Sequence, residues 1–281
     1  MRLIKLLFLF LLLGPSLLSH GQSKAQKKVI SIVEEGEYLY RLEMASWHGT
    51  DLFLEHCGDK RNDIQGYFSY PATSDSTRCV FFGKGDIPKI IGNITFDKTF
   101  NLNSATINIG ERGFTEEENS LYIIRQKALA EAQTDTLFKY YKKTNLNFIP
   151  LVYKGEKKVY ILTGPIETGV VIFGNDYLLT FDKKNNLRKK KSIHNNIIFT
   201  SYEAEDGKEL VGGMHSHLPT TGDFITPTDV CTLMLYSKYT NWEQYYVISE
   251  NYVTIWDCKD NEAAVLTREA FNKISNKNKS N

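Results

Sequence analysis

Short apolar runs, each closed off by turn residues, recur through most of this chain and direct it toward antiparallel sheets. Tyr67-Phe68-Ser69-Tyr70, Cys79-Val80-Phe81-Phe82, Lys89 to Phe96 and Ala105 to Ile109 are such runs. Between them stand Pro71, Ser74-Asp75-Ser76, Gly83-Lys84-Gly85-Asp86 and Asn101-Leu102-Asn103. Runs this short, rich in aromatic and β-branched residues, suit half-buried strands. They predict an antiparallel meander over residues 64–110.

The same pattern returns later. Phe148 to Tyr153 and Lys158 to Thr163 flank Gly155-Glu156, which predicts a hairpin. Val170 to Phe173, the turn Gly174-Asn175 and Tyr177 to Phe181 predict another. Tyr245 to Ser249 and Val253 to Trp256 form a third around Glu250-Asn251. Helix signals are fewer. Thr115 with Glu118 is a capping box, and Leu121, Ile124, Ala128 and Ala132 then step by threes and fours. That helix is expected to end near Lys142-Lys143. Thr226-Pro227-Thr228-Asp229 opens a helix to about Tyr236. Val29 to Trp47 is mixed: Ser31 with Glu34 suggests a cap, while Tyr38, Tyr40, Leu42 and Met44 alternate as in a strand. Helix is favoured there. Ser23 to Lys28 reads as a flexible terminus, and the Asn-, Lys- and Ser-rich tail from Asn272 as disordered.

The first residues are expected to be removed. Arg2 and Lys5 precede the apolar run Leu6 to Leu13, and Ser19-His20-Gly21 offers small residues for cleavage. Residues 1–21 therefore read as a signal peptide, and the mature chain as an exported protein, periplasmic or extracellular. No later stretch reaches transmembrane length. Lys plus Arg total 34 and Asp plus Glu 33, with two of the cations in the leader. The near-neutral mature chain is not expected to bind nucleic acid through non-specific charge. Cys57, Cys79, Cys231 and Cys258 allow three disulfide pairings in an oxidising compartment. Sequence proximity favours Cys57–Cys79 and Cys231–Cys258; four buried thiols is the alternative.

One constellation carries chemistry. His215 and His217 flank Ser216, and on a strand residues two apart share a face. Both imidazoles can then reach one metal ion. Asp229, twelve residues beyond His217 at the start of a predicted helix, fits as a third ligand. His194 is a further candidate, although a hydrogen-bonded structural role is favoured for it.

His215-Ser216-His217-Leu218-Pro219 followed by Thr226-Pro227-Thr228-Asp229 resembles the site of the JAB/MPN (JAMM) metallohydrolases. The resemblance covers at most residues 115–258. It implies zinc on His215, His217 and Asp229, an upstream glutamate as general base, and a hydroxyl that stabilises the oxyanion. Glu167-Thr168-Gly169-Val170-Val171-Ile172-Phe173-Gly174 matches the family's Glu-to-Gly spacing and nominates Glu167 as the base. Ser216 and Thr226 are the candidate hydroxyls. Leu218 stands where the family has proline, Thr226 where it has serine, and Gly169 comes one position early.

The expected molecule is therefore α+β. A β-rich N-terminal region (22–112) precedes a long central helix and a JAB/MPN-like, deaminase-like α/β domain (113–275), with a short tail (276–281). The expected activity is zinc-dependent hydrolysis of amide, peptide or isopeptide bonds, with peptides or cell-wall crosslinks as substrates. The competing expectation is a catalytically silent binding protein that keeps this fold and uses its N-terminal region to meet a protein partner. Thr226 to Asp229 is also explained by helix initiation alone, and Glu167 by a surface turn.

Overall fold

A computed structural model describes residues 23–203 and 209–279. Residues 1–21, expected to be a signal peptide, lie outside the described residues. Within them the chain is α+β, with four α-helices and four sheets. No described helix is long and apolar enough to cross a membrane.

The chain opens with α1 (Lys24–His56), whose N-cap Ser23 accepts a hydrogen bond from the Gln26 N–H at 3.1 Å. The segment expected to be a flexible terminus is thus the first turn, and the cap is Ser23 instead of Ser31. The region expected to be β-rich begins with 33 residues of helix. Its pattern is mixed because several elements cover it: α3 on one side, the N-terminal sheet and later strands on others. Buried positions such as Val29, Leu39, Leu42, Met44, Ala45 and Phe53 are therefore not confined to one narrow stripe.

The meander follows as β1 (Ile64–Thr73), β2 (Ser76–Gly83), β3 (Ile90–Asp97) and β4 (Thr106–Arg112), antiparallel and adjacent in chain order. Next comes α2 (Glu116–Thr134), which starts with the capping box of Thr115 and Glu118. It stops at Thr134, short of Lys142. Beyond it the Asp135 side chain accepts the Leu137 N–H at 2.8 Å, and Phe138 turns in against Tyr177.

Glu118 caps α2 and is also a buried anion. It accepts two 2.7 Å bonds from Arg112, one of 2.7 Å from Tyr70 and one of 2.8 Å from the Thr115 N–H. Burial alone would raise its pKa; Arg112, Thr115 and Tyr70 overcome that and hold it at about 2. A depressed carboxyl stabilises the fold fully above its ordinary pKa and ceases to do so as pH falls through its folded value. Glu118→Gln is expected to cost about 3 kcal/mol at neutral pH. It should also flatten the decline in stability between the ordinary pKa of 4.5 and about 2. Denaturant melts across that range measure both effects.

The second half contains β5 (Thr144–Tyr153), β6 (Glu156–Pro165), β7 (Val170–Gly174), β8 (Tyr177–Phe181), β9 (Leu187–Ser192) and β10 (Ile197–Ser201). It continues with β11 (Gly212–Ser216), α3 (Pro227–Tyr236), β12 (Gln244–Ile248), β13 (Tyr252–Asp257), β14 (Glu262–Thr267) and α4 (Arg268–Lys279). One sheet has the order β5-β6-β8-β9, another β11-β12-β13-β14, and β7 pairs with β10 alone. The expected β7–β8 hairpin does not form. Gly174 and Asn175 both adopt positive φ, 84° and 50°, and this corner carries the chain from one sheet into another. A Cβ on Gly174 would stand 2.1 Å from the Asn196 carbonyl oxygen, so the close approach also needs glycine. The tail expected to be disordered from Asn272 is helical through Lys279.

Neither expected disulfide forms, and all four cysteines are buried. Cys79 lies beneath Gly49, where an added Cβ would meet its Cβ at 2.8 Å. Cys57 sits two helical turns further on, at the far end of α1. Cys231 and Cys258 belong to different apolar clusters.

Candidate metal centre

Two glycines let β11 run parallel and close to β12. A Cβ on Gly212 would come 2.5 Å from the Gln244 carbonyl oxygen, and one on Gly213 would come 2.6 Å from the Tyr245 ring. The register pairs His215 with Val247 and Ser216 with Ile248. His217 follows the strand, and its N–H donates to the Ile248 carbonyl at 2.8 Å. Alternation then turns both imidazoles inward, with ring centres 5.0 Å apart, and leaves Ser216 exposed.

Asp229 occupies the first turn of α3 and has two roles. Its Oδ2 accepts the Thr226 N–H at 2.9 Å and the Thr226 hydroxyl at 2.8 Å, closing a capping box. The same carboxylate faces the imidazoles: Oδ1 is 3.5 Å from His215 Nε2, and Oδ2 is 3.2 Å from His217 Nε2. A carboxylate has about four lone-pair directions, so capping and ligation are compatible. Thr226 spends its hydroxyl on Asp229 and Thr228 inside the helix start. It is a positioning group there and is not directed at a substrate.

A fourth donor comes from the sheet-switching corner. Asn175 is fixed by hydrogen bonds to Lys139, Thr163 and Tyr177. The next residue, Asp176, accepts the His194 backbone N–H at 3.0 Å and holds its Nδ1 at 2.8 Å. This tautomer aims His194 Nε2 at the cluster, 3.0 Å from His217 Nε2 and 3.6 Å from Asp229 Oδ2. The sequence did contain a signal for this pair. The hairpin of β8 and β9 around Asn185 makes the residues flanking it, Asp176 and Ile193-His194, neighbours in space.

His194, His215, His217 and Asp229 are all buried, and their ligand atoms lie within 4.8 Å of one another. Donors about 2.1 Å from a tetrahedral zinc stand roughly 3.4 Å apart. Five contacts, at 3.0–3.6 Å, lie near that spacing, within a set that spans up to 4.8 Å. His217 Nε2 is 3.0 Å from both other imidazole Nε2 atoms, and a single proton on it can bridge to only one neighbour. A cation between the lone pairs satisfies all of them. Two of the three imidazoles have outer partners, Asp176 on His194 and the Tyr245 hydroxyl 3.2 Å from His215 Nδ1, whereas His217 Nδ1 is buried without one.

The electrostatics favour positive charge in the cluster, either a metal ion or, in its absence, a proton on His194. Burial opposes ionisation of Asp229, yet the surrounding imidazoles hold its carboxyl far below the usual range. Burial pushes His215 down to about 4, against the pull of Asp229, so this ring offers a neutral lone pair at ordinary pH. Burial also opposes protonation of His194, but Asp176 and Asp229 outweigh it and raise its pKa to about 9.

A cleft of about 410 Å³ opens beside the cluster and is bounded by His194, His215, Ser216, Phe173 and Asn196. Of the two hydroxyls nominated by the resemblance, Ser216 lines this cleft, together with Thr221 and Tyr141. Glu167 does not: it is exposed and forms a 2.9 Å ion pair with Lys143. It precedes β7, whereas the corner that holds Asp176 and His194 follows the other end of that strand. Among the described residues, the carboxylates that touch the cluster are Asp229 and Asp176, and both already accept several hydrogen bonds. Glu205, another glutamate between β10 and β11, lies outside the described residues.

Compared with models of known protein families, with curated proteins and with solved structures, the chain matches none.

Proposed function

We propose that this protein is a zinc-dependent hydrolase of amide or peptide bonds, exported to the periplasm or the exterior. The observation that carries the metal assignment is the convergence of four buried donors, His194, His215, His217 and Asp229, at zinc-like spacing. The adjoining cleft, the serine on its wall and the resemblance of His-Ser-His with Thr-x-x-Asp to the JAB/MPN motif support hydrolysis. When bound, zinc supplies Lewis acidity and a nucleophile at neutral pH. Ser216 donates a hydrogen bond to the developing oxyanion, an interaction typically worth roughly 3 kcal/mol. His194 is the ligand that yields to substrate. Its side chain is the most exposed of the four, at 10% against 3% or less, and it forms part of the cleft wall.

A second reading rests on the number of ligands. Four protein donors complete a tetrahedral zinc shell, as structural sites do. The protein is then a binding module stiffened by its ion, with the N-terminal sheet free to meet a partner. Metal analysis of the purified protein and turnover of a panel of peptides and amides separate the two. Stoichiometric zinc with turnover that is lost on chelation supports the hydrolase, and Glu167→Gln should then leave the rate unchanged. Zinc without turnover, in both the wild type and His194→Ala, leaves the structural reading. Absence of bound metal after incubation with zinc removes both.

A further inference from the structure

A second cavity, of about 280 Å³, lies where α1, β1, β5, β6, β7 and α3 meet. It is separate from the metal centre. Ile172 lines it, whereas the next residue on β7, Phe173, turns the other way and packs against His215 with ring centres 5.2 Å apart. Glu43 projects into it from α1, one turn before Trp47. Its carboxylate accepts a hydrogen bond from the Asn147 side-chain amide. Among the described residues that line the cavity there is no Lys, Arg or His, and Asp51 at the rim adds a second carboxylate. Trp47, Tyr67 and Tyr236 supply aromatic walls, with the Trp47 and Tyr236 rings 6.4 Å apart and inclined at 52°.

We propose that this cavity binds a small organic ammonium ion, a primary amine or a methylated ammonium, with Glu43 as counter-charge and Trp47, Tyr67 and Tyr236 as its walls. A half-buried carboxylate with no cation beside it is costly, and loss of water around it pushes the Glu43 carboxyl up to about 7. An ammonium ion restores the charge balance. Aromatic faces attract such a cation, and most strongly where water is excluded. Thr50 and Thr232 also line the cavity, whereas the Thr163 hydroxyl is engaged with Asn175 behind it. A hard metal ion fits less well, because calcium and magnesium ask for six or more oxygens and take nothing from indole or phenol faces. The volume suits a ligand of a few heavy atoms.

Calorimetric titration of the full mature chain with methylammonium, ethanolamine and choline tests the proposal. Saturable binding of at least one probe is expected, with a rise in melting temperature. The neutral choline isostere 3,3-dimethylbutanol should bind at least about tenfold more weakly than choline, a difference of about 1.4 kcal/mol. Glu43→Gln, which preserves side-chain length and amide pairing with Asn147, should weaken the best probe by a similar factor, and Trp47→Ala should do the same. Lack of saturable binding for all three probes overturns the proposal. So does equal affinity for the neutral isostere, which needs only the wild-type protein, or undiminished affinity in a folded Glu43→Gln variant. Chelation with EDTA should leave amine binding intact, so failure of the zinc assignment and failure of this one are independent.

Discussion

His217→Ala is expected to purify without zinc and to melt at the temperature of the chelated wild-type protein. Among the four donors His217 is the most central: its Nε2 contacts His194, His215 and Asp229 at 3.0, 3.0 and 3.2 Å. Its side chain is fully buried, so water cannot easily take its place. Loss of even an outer hydrogen-bonding partner typically lowers metal affinity about 10–100-fold, and loss of a ligand costs more. On the proposed assignment the ion binds the folded chain, so its removal also lowers stability, by about 4 kcal/mol where free zinc stands a thousandfold above the dissociation constant. Elemental analysis and calorimetry measure the two effects. Asp176→Asn is the graded comparison: it keeps all four ligands, removes the anion behind His194, and should weaken binding without abolishing it. Full zinc occupancy in His217→Ala would refute the ligand assignment.

The second large effect is expected at Gly36. There α1 crosses α3 so closely that an added Cβ would lie 2.5 Å from Val230 Cβ and 3.0 Å from the Pro227 carbonyl oxygen. One of those atoms belongs to backbone and cannot rotate away. Gly36→Ala should therefore cost about 2–3 kcal/mol, despite alanine's better helix propensity. The strain falls on Pro227 and Val230, the residues that flank Thr228-Asp229, so zinc affinity should decline together with stability. Gly58→Ala is the control, since an added Cβ there meets nothing within 4 Å. Denaturant melts and competitive zinc titration of both variants provide the measurement. Unchanged stability in Gly36→Ala would mean that the helices can separate freely.

Local chemistry was legible in the sequence, and long-range convergence was not. The meander could be read because each strand carries its own alternation and its own turn residues. Thr115 with Glu118 and Thr226 with Asp229 announced the starts of α2 and α3, two of the four α-helices, since a cap needs only four consecutive residues. The His215, His217 and Asp229 trio was legible for the same reason: two neighbours on one strand and one residue at a helix start. His194 joins that trio only because a chain corner at Gly174-Asn175 changes sheets and sets Asp176 behind it. The pattern of residues 170–181 suits a hairpin equally well, and it was tertiary packing that decided otherwise. Glu167 shows the converse. A matching spacing nominated it, but spacing does not say which end of β7 faces the histidines. In α1, burial on several sides erased the periodicity that would have marked its full length.

The position of α1 also sets a problem of timing. It is the earliest described element to be synthesised, yet Gly36 rests on α3, and Gln26 hydrogen-bonds to the carbonyl of Ala263 near the other end of the chain. The N-terminal sheet can cover one side of it early, but the side that meets α3 and β14 has no permanent cover until those elements have been made. Contacts so distant along the chain form slowly. Between its own synthesis and the arrival of β14, that uncovered side of the helix is open to capture by chaperones or by other unfinished chains.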